Sequence, residues 1–167
     1  MASEQSPAAF ENEFLLYYEY SERRLLALAE AVPEELYEWR PGEGMRSLRE
    51  IFRHIALSNA LQLKVVSGAS GDELAERVRN LEREEQTPAA KQAVVRDLID
   101  SCAALRDALA AVKDGDLGGG VDLFGSKTTV RGTWIALLAH MCEHLGQAVF
   151  CARAAGVKPP WSEAKTQ

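Results

Sequence analysis

The stretch from Thr128 to Trp161, TTVRGTWIALLAHMCEHLGQAVFCARAAGVKPPW, restricts the fold more than any other part of the chain. Thr128 or Thr129 can accept the free N–H groups of a helix start, and about seven turns of mostly apolar sequence follow. Gly156 then supplies a left-handed stop, with Pro159 and Pro160 beyond it. The pattern predicts one long helix. At about 100° per residue, His140 and His144 fall one turn apart on a stripe shared with Thr133, Ala136, Leu137 and Gln147. Because that stripe is otherwise mostly apolar, it should face a core. Two imidazoles at i and i+4 offer a metal two nitrogen ligands, and a zinc-type site needs a third. The remaining histidine of the chain is His54.

The rest of the sequence supplies partners for such a helix. Phe14, Tyr18, Ser21, Leu25, Leu28 and Val32 are spaced as one face of a helix from about Pro7 to Val32, with Ser21 the single polar break. Pro33 ends that pattern, and PEELYEWRPGEGMR reads as a connection whose Trp39 plugs one end of a bundle. Ser47 and Glu50 form a capping box opening a helix to about Val66 that carries His54. SGASGD breaks it. Asp72 can cap a short charged helix, ELAERVRNLERE, with little apolar face and the role of a surface connector. Thr87 followed by Pro88 reads as the cap of a further helix with Val95, Leu98, Cys102, Leu105, Leu109 and Val112 at core spacing. DGDLGGG stops it, and VDLFGSKT can form a small extended hairpin. The expected fold is therefore all-α: one four-helix-bundle domain over residues 1–167, with long interhelix connections and a short extra surface helix.

Composition narrows the function. A net charge of -6 disfavours nucleic acid, whose phosphates want a basic face. Cys102, Cys142 and Cys151 fall inside predicted helices without framework spacing, as buried reduced thiols do. No signal-peptide pattern opens the chain, and no run approaches the ~18 apolar residues of a membrane span, so a cytoplasmic protein without a membrane partner is expected.

The string from His140 to His144 matches H-x-x-E-H, but the 23 residues that follow contain a single acid, Glu163, and the peptidases with that string use a further downstream glutamate. On the helical wheel Glu143 is a neighbour of the site rather than its base. Neutral, hydrogen-bonded core histidines are the plain alternative. Three inward imidazoles on faces of Leu, Ala and Ile would then need three separate sets of polar partners, which favours a shared ion. Cys151 lies about 16 Å along the helix from His140 and reads as core.

HMCEHLGQAVFCARAAGVKPPWS and EWRPGEGMRSLREIFRHIA resemble, in order, the C-terminal helix and the helix 1–2 region of the DinB-like (DinB/YfiT) superfamily of metalloproteins. The resemblance implies His54, His140 and His144 as metal ligands, and Gly146, Gln147, Arg153, Gly156, Pro159 and Pro160 fall on its C-terminal pattern. Ser58, where many relatives carry an acid or a histidine, and Cys151, in place of a common aromatic, depart from it. Several members are thiol-dependent S-transferases or isomerases. Three imidazoles leave an open coordination position and suit zinc or nickel, then iron or manganese. The expected function is metal-dependent transfer or hydrolysis of a small-molecule substrate, with a low-molecular-weight thiol as nucleophile. The alternative is a non-catalytic bundle in which the metal only pins two helices together. Gln147 and Ser58, then Glu143 and Glu50, are candidates for contacting the ligands. A homodimer is expected, partly because relatives often pair and partly from an apolar patch of Tyr17, Tyr20 and Leu26.

Overall fold

A computed structural model describes residues 7–69 and 72–162. Its elements run α1 (Pro7–Ala31), α2 (Leu48–Val66), α3 (Asp72–Gln86), α4 (Lys91–Ala110), β1 (Gly120–Leu123), β2 (Ser126–Thr129) and α5 (Val130–Ala154). The long helices pack in the spatial order α1, α5, α2, α4, so α1 and α2 are diagonal, as are α4 and α5. The α1–α2 and α4–α5 connections thus cross a bundle end, whereas α2 and α4 are neighbours. The fold is all-α, as expected, apart from one antiparallel pair that joins Gly120 to Thr129 and Leu123 to Ser126.

Local chemistry accounts for the boundaries. On α2 the Ser47 side chain accepts from Glu50 N at 3.2 Å, and the Glu50 carboxylate accepts from Ser47 N at 2.6 Å. Thr129 Oγ1 accepts from Gly132 N at 3.1 Å to open α5. The helix closes where Gly156 takes φ +85° and Val157 N reaches back to Ala152 O. Phe14, Tyr18, Ser21, Leu25, Leu28 and Val32 are all buried, and Phe14 meets Trp134 of α5 edge-on at 5.6 Å.

Four expectations change. Thr87 does not cap the next helix; its hydroxyl donates to Arg83 O at 3.0 Å and closes α3, while α4 starts later, with Ala90 as N-cap and no side-chain cap. Trp39 is half-buried and packs against the core, and Tyr37 of the same connection goes fully inside, its hydroxyl donating to Ala29 O at 2.7 Å. Leu26 packs against the core and does not join exposed Tyr17 and Tyr20; Leu16 is exposed beside them. Cys142 is exposed, 3.4 Å from the Ser21 hydroxyl, whereas Cys102 and Cys151 are buried thiols. By length and composition α5 is also apolar enough to cross a membrane; here it packs on α1 and α2 as a core helix. The side chain of Asp72, the expected cap of α3, lies outside the described residues.

Candidate metal centre

Two adjacent helices build the site. The capping box sets the phase of α2, sending Ile51 and Ile55 into the core and leaving His54 buried at its edge toward α5. On α5, Trp134, Leu137, Met141 and Ala148 take the core face, and His140 and His144 stand beside it, facing α2. His54 Nε2 lies 3.0 Å from His140 Nε2 and 3.0 Å from His144 Nε2. The facing ligand atoms of the three rings all lie within 4.8 Å of one another.

The outward nitrogens determine what the inward ones can do. Ionised Glu85 only accepts, so the His54 Nδ1 it contacts carries a hydrogen. Gln147 Oε1 likewise accepts from His144 Nδ1 at 2.9 Å. A neutral ring has one N–H, so when both rings are neutral each presents a bare Nε2 lone pair, and the two nitrogens lie 3.0 Å apart. His140 can donate to only one of them, and its Nδ1 is buried without a hydrogen-bond partner among the described residues. Hydrogen bonds alone therefore leave this cluster with lone pair against lone pair, and a cation at the shared point resolves it. The spacing also suits one: nitrogens bonded at ~2.0–2.1 Å to a single ion lie ~2.8–3.4 Å apart at right or tetrahedral angles. The three residues fit a divalent transition ion.

Electrostatics favour the ligating form of His140 and His144. Burial, with the neighbouring His144 and His54 rings, pushes His140 down to about 4. Burial also lowers His144 below its ordinary value, against the opposing bond from Gln147. For Glu85, burial works to raise the pKa, but hydrogen bonds from His54 and Arg46 outweigh it and hold the carboxyl below its usual range.

Beside the cluster opens a cleft of about 920 Å³, walled by Arg40, Met45 and Arg46 from the α1–α2 connection, Glu85 from α3, and Gln147 and Phe150 from α5. The histidines lie behind Glu85 and Gln147, which touch both cleft and rings. Glu143 is exposed at the cleft edge. Glu50 also borders it, but its carboxylate serves Ser47 N and Arg40, not a histidine. Ser58 is buried one turn beyond His54, and among the described residues no hydrogen bond joins it to any of the three rings.

Glu85 is the residue that sequence reasoning missed. The charged helix was expected only to connect, yet α3 ends in a carboxylate that is 2% exposed and bonded to His54. Among many exposed acids in a helix with almost no apolar face, nothing local distinguishes it. The available signal was at the start of α2, where Arg46, just ahead of the helix, and Arg49 and Arg53 on it form a basic edge and require an acidic or carbonyl partner.

A bundle with a three-histidine cluster between two neighbouring helices is the class that fold and site define. The family model described as the DinB superfamily matches residues 17–148, and the chain belongs to that superfamily. Among solved structures it is similar to a DinB-like protein from Bacillus cereus, at 19% identity and TM-score 0.73, over 88% of this chain and 93% of that one. It is also similar to a DinB-like protein from Bacillus subtilis, at 21% identity and TM-score 0.63, over 90% and 94%. These likenesses bear on the fold. No curated protein matches the chain.

Proposed function

We propose that this protein is a metal-dependent enzyme in which His54, His140 and His144 hold one divalent transition ion, zinc or nickel first, and the adjacent cleft holds a small-molecule substrate. The observation that carries this reading is the approach of His54 Nε2 and His144 Nε2 to 3.0 Å while each Nδ1 is engaged by Glu85 or Gln147. When bound, the ion supplies a Lewis acid that lowers the pKa of a water or thiol entering its free position. The chain's own residues orient and shield. Glu85 and Gln147 fix the tautomers of His54 and His144, while Met45 and Phe150 give the cleft an apolar wall.

No cysteine of the chain serves as the nucleophile in this reading. Burial raises the thiol pKa of both Cys102 and Cys151, and Cys142 faces Ser21 on the α1 side of α5. A transfer reaction would therefore draw its thiol from solution, and hydrolysis would use water. The competing reading, an ion that only ties α2 to α5, draws on the burial of His54 and His144.

Cobalt-loaded protein titrated with glutathione, bacillithiol or mycothiol separates them. A sulfur-to-metal charge-transfer band that disappears in His140→Ala supports the open site. No band with any thiol, together with no turnover of electrophiles by the metal-saturated protein, supports the structural ion.

A further inference from the structure

We propose that Glu85 is the positioning residue of this centre: it holds His54 as the Nδ1–H tautomer, its Nε2 lone pair aimed at the point shared with His140 and His144, and α3 is anchored so as to deliver it. The inference rests on the reading that the three histidines take an ion.

The way α3 is attached carries the argument. Of its described side chains only Leu74 and Glu85 are buried, so apolar packing does little to fix its C-terminal half. Guanidiniums from α2 do that instead. Arg49 Nη1 donates to Glu85 O and Thr87 O, both at 2.8 Å, and Arg53 Nη2 donates to Glu84 O at 2.8 Å. These carbonyls sit at or just past the helix C-terminus, which carries partial negative charge, so cations there bind well. Arg49 is itself buried and braced by Glu38.

The carboxylate is then oriented from both sides. Arg46 Nε donates to Glu85 Oε2 at 2.9 Å, which turns Oε1 toward His54 Nδ1. A carboxylate so deeply buried is costly to keep unless its partners use both oxygens. If Glu85 served only as the counter-ion of Arg46, an exposed position would suffice. A ring whose Nδ1–H is held by a carboxylate has a fixed orientation and a more basic Nε2, the arrangement that ligating histidines share across unrelated metal sites.

The test uses the full chain, stripped with chelator and reloaded with zinc or cobalt. Glu85→Gln keeps the shape but not the charge, and should weaken zinc binding ~10- to 100-fold by chelator competition. It should also shift the cobalt ligand-field bands. Glu76→Gln, an exposed position on α3, should change neither. Long-range proton–nitrogen correlation on the zinc-loaded wild type, which needs no variant to fold, should find the His54 hydrogen on Nδ1. A hydrogen on Nε2 overturns the proposal. So does wild-type affinity with an unchanged cobalt spectrum in Glu85→Gln while His54→Ala loses zinc, and that result leaves the metal reading standing. Full zinc binding by His54→Ala, His140→Ala and His144→Ala alike overturns both.

Discussion

His54 on α2 and His144 on α5 meet Nε2 to Nε2 at 3.0 Å, ninety residues apart in sequence, with each Nδ1 already engaged. This contact joins two helices that also share a core. A ligand that satisfies it must stabilise the whole bundle, because the unfolded chain does not assemble the three rings.

The first expected outcome follows from that linkage. Zinc at about 100 times its dissociation constant should add about 2.7 kcal/mol to the folded state. For a chain of this size that corresponds to a rise in melting temperature of roughly 5–10 °C. Scanning calorimetry of chelator-stripped and zinc-loaded protein measures it directly; coincident melting curves would rule out a shared ion.

Acid should destabilise the metal-free protein. His140 has a folded pKa of about 4 against an ordinary 6.5, so between those values the unfolded chain holds a proton that the folded one lacks. Stability therefore falls as pH drops through that window, and below about 4 this residue adds nothing more. His144, also lowered, acts in the same direction. Glu85, lowered as well, contributes stability above the ordinary carboxyl value that is lost as pH falls through its folded pKa. Urea midpoints of stripped protein at pH 7 and pH 5 should differ less in His140→Asn than in wild type. Equal differences would contradict the assignment to His140.

Arg49→Met should cost about 2–4 kcal/mol, since it strands buried carbonyls and removes charge-assisted bonds at the end of α3. Urea unfolding checks the size. A change under about 0.5 kcal/mol, the range of ordinary surface substitutions, would show that α3 is held by something else.

Gln147→Ala separates orientation from packing. The side chain is exposed, so stability should move little, while the freed His144 ring should weaken zinc binding by about 10-fold or more. Unchanged affinity would reduce Gln147 to a lining residue of the cleft.

Much of this architecture was legible in the residues. The spacing of Phe14 through Val32 set the buried face of α1, and Ser47 with Glu50 set the start of α2, because periodicity and capping act within a few residues. His54, His140 and His144 come together as expected, since inward positions on two packed helices leave few alternatives. What was hidden depends on contacts distant in sequence. The role of α3 is set by guanidiniums of α2 that meet its last carbonyls, and Thr87 was misassigned because the α3 end needed it. The full burial of Tyr37 depends on one hydroxyl bond to Ala29 O. Which helices are diagonal could not be read from periodicity, which gives each buried face but not its partner.

The most direct measurement is metal content by mass spectrometry of protein purified without chelators and without a histidine tag, for the wild type and the three alanine variants. The account requires about one divalent transition ion per chain in the wild type, held by three imidazoles, and its loss in His54→Ala, His140→Ala and His144→Ala. Full occupancy retained in all three variants would contradict it.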